Sequence, residues 1–345
     1  MRLKITLLCI AFTGVIYAQT TNVISTGLNQ PQDLFFVGDD LYIANYGTNQ
    51  ILKADISVNN PTPVLVVANQ SPLAVYVVDN YLFVGGNSNA YQRHNLNNIS
   101  EPNNYAFNLG NISALAFNGV DNYIALKDNF KIKYNNNSNT QPLTDYINVT
   151  RPNDLKIVGT TMYIAEGDTE TVSKVDLSNA TPTLTNVITN IGSSTQAIEV
   201  LNDNLFIAVN NPNKIYRLDL TSATPVLEDV VTMPNNIGAL RVKGNDLYIA
   251  SGNTISKLDT NTLSVNEANF NESDFKLYPN PVTNILNIQS TEPITSLQLI
   301  NIKGQVVCKT NTALKNLNMG SYKAGLYFLK IETEKGTTTR KVVKQ

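Results

Sequence analysis

The feature that most restricts the fold is a short apolar string that returns at a nearly fixed interval. It reads "LYIAN" at Leu41, "LFVGG" at Leu82, "YIAL" at Tyr123, "MYIAE" at Met162, "LFIAV" at Leu205 and "LYIAS" at Leu247. Between the matched positions Ile43, Val84, Ile124, Ile164, Ile207 and Ile249 the steps are 41, 40, 40, 43 and 42 residues. Self-similarity at such a period signals a repeat architecture, in which each unit buries its apolar faces only by stacking on its neighbours.

Each unit has the same internal order. A segment such as "DLFFV" (Asp33 to Val37) runs through the polar turn "GDD" into the recurring string, and a second turn leads to a segment such as "ILKAD" and then to a looser one such as "VLVVA" (Val64 to Ala68). Short runs rich in Val, Ile, Tyr and Phe between Asn, Asp and Gly are strands joined by hairpins, and no stretch sustains a 3.6-residue period. Four antiparallel strands, repeated six times, predict an all-β protein whose larger part is a six-bladed β-propeller over residues 19–265. The stretch "TNVIS" (Thr21 to Ser25) matches the fourth segment of other units, such as "EDVVT" before Met233. The N-terminus is therefore predicted to complete the last blade, which would close the ring and hide sheet edges.

The first eighteen residues place Arg2 and Lys4 before an apolar run that ends at Ala18, the pattern of a cleaved signal peptide, and the run is too short for a stable membrane anchor. Removing that segment takes away Cys9 and leaves Cys308 alone, so neither an intrachain disulfide nor a Cys-based zinc site is expected. Residues 19–266 carry 13 Lys+Arg against 21 Asp+Glu, and residues 267–345 carry 10 against 6. The larger part is thus acidic and lacks the basic stripe that nucleic acid binding needs.

In "QPQDL" at Gln30 and "RPNDL" at Arg151 a P-x-x-L string precedes the recurring strand, and on these motifs the units resemble six-bladed propellers of the NHL and regucalcin/gluconolactonase-like kind, over roughly Asn22 to Val265. The resemblance implies the fold more than an activity, because propellers host unrelated functions.

After Val265 the repeat stops, and residues 266–274, "NEANFNESD", form a polar linker. Beyond it, Leu297, Leu299 and Ile302, and again Tyr327, Leu329 and Ile331, mark half-buried strands of a small Ig-like β-sandwich over residues 275–345. Tyr278, Pro279, Asn280 and Pro281 at the opening, Gly304 in "IKGQVV", Gly325, Leu326 and Tyr327 in "GLYFLKI" and the basic "RKVVK" end resemble, in that order, the type A C-terminal sorting domain of the type IX secretion system of Bacteroidetes. That resemblance implies an exported protein, handled by the type IX machinery and delivered to the cell surface or the medium, with cleavage in the linker.

The only histidine, His94, aligns with Ala54, Val175, Leu218 and Leu258, a position that packs between blades, so a Ser-His-Asp arrangement has no histidine to use. The position opening each innermost strand reads Asp33, Ala74, Ala114, Asp154, Ala197 and Ala239, which sets two carboxylates opposite each other across the ring. The neighbours Gln32, Asn153, Gln196 and Asn236 add polar groups, and Asp33, Asn153, Asp154 and Gln196 are the channel-face candidates. In one reading Asp33, Asn153 and Asp154 hold a hard cation such as Ca²⁺ through oxygen ligands, as the lactonase resemblance implies. In the other each Asp caps backbone amides at its turn. A second acidic group, Glu166, Asp168 and Glu170 in "EGDTE", lies in the second-to-third-strand hairpin of unit four, so Asp154, Glu166 and Asp168 are the residues a metal would use. Asn45, Tyr46, Asn87, Tyr91, Asn210, Asn211 and Asn213 fall on that face too, and amides with exposed rings suit polyhydroxyl ligands or protein surfaces. The expectation is an exported binding or adhesion module without catalysis or cofactor, taking a glycan or surface-protein ligand. The alternatives are a metal-dependent lactonase or related hydrolase, or a purely architectural surface protein.

Overall fold

The structure, a computed structural model, describes residues 19–68, 71–87, 90–136, 143–262, 275–291, 293–302, 305–310, 315–333 and 336–345. The signal peptide (1–18), the linker (266–274) and Gly304 of the sorting motif lie outside the described residues. The chain divides after Asn261 into two compact units.

The first unit is built from six four-stranded antiparallel sheets. Their innermost strands are Pro31–Val37, Pro72–Val78, Ile112–Asn118, Pro152–Val158, Thr195–Leu201 and Ile237–Lys243. Each packs beside the next and the last packs beside the first, which closes a ring of six blades. The sixth blade takes its outer strand from Thr21–Ile24, paired with Thr254–Asp259, so the N-terminus completes the ring as its sequence predicts.

The recurring string forms the second strand of every blade. In the first blade Leu41, Tyr42, Ile43, Ala44 and Asn45 are all buried. Both faces of a blade are covered by neighbouring blades, so these strands read as continuous apolar runs where a half-solvated sheet would alternate. The outer strand Val64–Ala68 has exposed Val64 and Leu65, as an outer edge does. His94 sits on the third strand of blade two, opposite Leu82, and is buried with both ring nitrogens lacking a hydrogen-bond partner among the described residues. Burial holds its pKa below the ordinary histidine value.

The second unit is a sandwich of two sheets. Phe275–Tyr278, Ile285–Ser290 and Asn316–Asn318 form one. Val306–Thr310, Ile294–Asn301, Gly325–Thr333 and Gly336–Lys344 form the other. Leu286, Ile288, Leu297, Leu299, Leu329, Ile331 and Val342 fill the space between. Ile302 departs from the alternation expected of it: its strand ends at Asn301, and the side chain is 70% exposed.

Candidate functional site

In every blade the pairing of the first two strands slips at the same point, between Pro31 and Asp33, Pro72 and Ala74, Ile112 and Ala114, Pro152 and Asp154, Thr195 and Ala197, and Ile237 and Ala239. A β-bulge re-aims the residue it contains. The six bulge residues, Gln32, Leu73, Ser113, Asn153, Gln196 and Gly238, line one small space of about 30 Å³ at the neck of the channel, with Asp33, Asp154 and Lys127. Gly238 has to be glycine, because a Cβ there would collide with the carbonyl oxygen of Pro31 in the first blade. Above the neck the mouth widens into a depression of about 1030 Å³. Its wall comes from the turns that open the inner strands and from the second-to-third-strand hairpins, including Gln30, Asn87, Asn111, Gln196, Asn210 and Asn236. Gln30 and Arg151, each ahead of a proline, adopt left-handed φ of 50° and 47°, a strained conformation that places both on this wall.

Asp33 and Asp154 face each other across the neck, and both are buried. Each carboxylate does two jobs. Asp33 accepts from the amide of Leu34 at 2.8 Å and from Val75 of the next blade at 2.9 Å. Asp154 accepts from Leu155 at 2.9 Å and from Ile198 of the next blade at 3.0 Å. Glu199 repeats the device in blade five, accepting from Val200 at 2.8 Å and from Val242 of blade six at 3.3 Å, and it pairs with Lys156. The acids therefore tie successive blades together at their inner strands.

Between the two aspartates stands Arg241. Its Nη2 donates to Asp33 Oδ1 at 2.7 Å, and Nη1 and Nη2 reach Asp154 Oδ2 and Oδ1 at 3.2 and 3.3 Å. A further bond runs from Nη1 to the carbonyl of Leu240 at 2.7 Å. Burial pushes the Asp33 carboxyl up to about 6, with Arg241 pulling it down and Asp154 adding to the rise. Burial also works against the Arg241 charge, yet Asp154, Asp33 and Glu199 hold its pKa above the ordinary arginine value. Sequence reading missed Arg241, although extending the alignment two residues past the Asp position gives Phe35, Tyr76, Ala116, Lys156, Glu199 and Arg241, in which the charges stand out.

Asp33, Asn153 and Asp154 meet at the neck, while the other proposed metal ligands, Glu166 and Asp168, have partners of their own. Glu166 accepts from Ser173 and from the amide of Thr150, and Asp168 pairs with Arg151 at 2.8 Å. Among the described residues no three carboxylate, imidazole or thiol groups converge as a metal site requires. A divalent ion between Asp33 and Asp154 would have to displace the Arg241 guanidinium from a pair of carboxylates whose remaining lone pairs already take backbone amides. Two further residues differ from expectation. Tyr91 is no exposed ring on the channel face: it is wholly buried, and its hydroxyl accepts from Asn122. Asn45 is buried too, capping the chain by accepting from the amide of Asn29 at 2.8 Å.

In the second unit the sorting-motif residues act on the last strand. Asn280 donates from Nδ2 to the carbonyl of Lys341 at 2.7 Å and accepts at Oδ1 from the amide of Val343 at 2.8 Å. Val282, just past Pro281, donates to the Val343 carbonyl at 2.8 Å and accepts from the Gln345 amide at 2.9 Å. The turn containing Pro279, Asn280 and Pro281 thus takes the place of a partner strand for the end of Gly336–Lys344. Gly325 lies opposite Lys344, and the Tyr327 hydroxyl donates to the Lys323 carbonyl at 3.0 Å, while Tyr278 is exposed.

Comparison with known proteins separates the two units. No curated protein sequence matches the chain. Among solved structures, the extracellular domain of BT4673 from B. thetaiotaomicron aligns with a TM-score of 0.54 at 10% identity, covering 95% of this chain, which spans 52% of that one. The WD40 β-propeller domain of Doa1 aligns with a TM-score of 0.51 at 12% identity, over 70% of this chain and 97% of that domain. At such identities the likeness concerns the fold alone. Residues 276–345 match the family of secretion system C-terminal sorting domains. The C-terminal unit is therefore a sorting domain of the type IX secretion system, and the protein it carries is exported by that machinery to the cell surface or beyond.

Proposed function

We propose that the propeller is a non-catalytic binding module that works outside the cell and takes a hydroxyl-rich ligand, a glycan, in the depression above its channel. The observation that carries this reading is the make-up of that depression. Its volume, about 1030 Å³, is that of a roomy ligand site, and its wall is dominated by side-chain amides. Amides donate and accept, as sugar hydroxyls do. The buried acids that a hydrolase would use are tied to Arg241, to Lys156 and to inter-blade amides, which favours a structural duty for them. The lactonase-like alternative needs Asp33, Asn153 and Asp154 as ligands of a metal, and it would have to open the Arg241 bridge first.

Screening the exported full-length chain on a glycan array tests the reading. Binding to one or more saccharides, reduced at least tenfold in Gln32→Leu/Gln196→Leu protein with an unchanged melting temperature, is the expected result. Absence of any saccharide binding, or binding indifferent to that double substitution, overturns it.

A further inference from the structure

Most polar groups around the channel mouth are already satisfied. Asn210 both donates to and accepts from the backbone of Ile237, Asn87 donates to the Tyr46 hydroxyl, and Asn253 accepts from the amide of Gln30. Among the groups that are not, three also line the neck, and they belong to three successive blades. Lys127, at the second-to-third-strand hairpin of blade three, lines both the depression and the neck, and its ammonium meets no carboxylate or carbonyl partner among the described residues. Asn153, the bulge residue of blade four, lines the neck, is 6% exposed and donates to the Thr195 carbonyl at 2.6 Å, yet its buried Oδ1 has no partner among the described residues. Gln196, the bulge residue of blade five, lines both spaces with no side-chain hydrogen bond among the described residues.

A buried amide oxygen without a donor and a half-buried ammonium without an acceptor are both unfavourable, by an amount comparable to a lost hydrogen bond or more. A ligand supplying the complementary groups relieves both. The charges nearby fix which complement fits where. Arg151 stands on the same wall as Lys127, with Asp168 as its partner, and Asp128 is turned to Asn111. Two cations on this side are thus matched by two carboxylates, but Arg151 and Asp168 pair with each other and Asp128 is taken by Asn111, which leaves the Lys127 ammonium without a hydrogen-bonded partner among the described residues. Burial, together with the nearby Arg151 charge, pulls the Lys127 ammonium below the ordinary lysine range, against the smaller opposing pull of Asp128 and Asp168. The neck differs, because its Asp33 and Asp154 carboxylates are already taken by Arg241 and backbone amides, and among the described residues Asn153 is the buried neck residue with an acceptor left over. Its volume of about 30 Å³ admits one small group, a hydroxyl or a water.

Resting on the glycan-binding reading above, we infer that the ligand is an acidic saccharide, whose carboxylate or sulfate sits at the rim on Lys127 and whose neighbouring hydroxyl donates into the neck to Asn153 Oδ1, with Gln196 bridging the two. The polar pattern, anion at the rim and hydroxyl in the neck, is that of a uronic acid residue or a sulfated hexose.

Isothermal titration of the full chain with trigalacturonate, with its fully methyl-esterified form and with a sulfated trisaccharide tests this. The acid or the sulfate is expected to bind at least tenfold tighter than the uncharged ester, and the preferred one identifies the anion. Lys127→Met is expected to abolish that preference, a loss of about tenfold to a hundredfold in affinity for the charged sugar, as follows when a charge-assisted hydrogen bond is removed. Ester binding should fall by a much smaller factor than binding of the charged sugar, and Lys127→Arg should retain part of the preference. Equal affinity for ester and acid, or a preference untouched by Lys127→Met, overturns the acidic-ligand inference while leaving glycan binding in place. Failure of all three probes, with binding of other neutral glycans intact, also overturns it. Failure of every glycan overturns the reading on which it rests.

Discussion

Replacing Arg241 with Met isolates the charge cluster at the centre of the ring. The wild-type guanidinium makes contacts of 2.7, 3.2 and 3.3 Å to two carboxylates, and side-chain exposures are 13% for Arg241, 6% for Asp33 and 7% for Asp154. Methionine keeps the length and apolar stem but leaves two like charges facing each other in a site with little water. Breaking a buried pair by removing one partner costs about 3–5 kcal/mol. In a domain of this size that corresponds to a fall in melting temperature of roughly 6–20 °C. The loss should depend on pH in a stated direction. Asp33 already titrates at about 6 against an ordinary value of 3.8, and without Arg241 its folded pKa rises further. A carboxyl whose folded pKa is raised contributes stability that is present below about pH 4 and is lost as pH climbs through the folded value. In the wild type this term is worth on the order of 3 kcal/mol between pH 4 and pH 7. In Arg241→Met it is larger, so calorimetric melting of the variant should be hurt most at pH 8 and recover toward the wild type at pH 5. Adding Asp33→Asn and Asp154→Asn should restore much of the loss at pH 8. A variant within about 1 kcal/mol of wild type at pH 8, or one whose deficit is the same at pH 5, would refute this account of the cluster.

Three further outcomes are expected. Gly238→Ala forces a methyl group against the Pro31 carbonyl where blade six meets blade one, and should lower stability by about 1–3 kcal/mol in urea unfolding, whereas Gly244→Ala in the neighbouring exposed turn should cost only the strain of its left-handed backbone. Asn280→Ala removes two hydrogen bonds from the end of the last strand and should cost about 1–2 kcal/mol in the C-terminal unit, seen as faster hydrogen exchange at the Val343 amide with the propeller amides unaffected. EDTA should leave the propeller melting temperature unchanged, because the Asp33 and Asp154 oxygens are held by Arg241 and backbone amides; a stability loss reversed by added Ca²⁺ would instead favour the metal-dependent alternative.

The architecture was legible because stacking blades leaves a linear record. Every second strand must be apolar on both faces, so "LYIA" and its variants count the blades directly, and the closing strand Thr21–Ile24 announces itself by matching the outer strands. The site was less legible, for reasons of geometry. Asp33 and Asp154 stand out at one alignment column, but their common partner lies two residues further along in a third blade, and only the ring brings positions 33, 154 and 241 together. The bulges that turn Asn153 and Gln196 toward the axis have no compositional mark, since the same slip holds Leu73 and Gly238. Tyr91 misled because a tyrosine beside a loop reads as exposed, while here its hydroxyl finds Asn122 inside the core. In the C-terminal unit the motif was visible as a string, yet its purpose, an asparagine side chain substituting for a strand, appears only in three dimensions.

The strand that completes blade six comes from the opposite end of the propeller, with Thr21 lying against Lys257. Contacts so distant in sequence form late, because the chain must first surrender the entropy of the loop they close. Until that pairing forms, Thr254–Asp259 keeps a bare edge and the ring is an open arc. Both partners must also be on the same side of a membrane before they can meet. For an exported chain, the last blade to cross therefore decides when the propeller becomes a folded object.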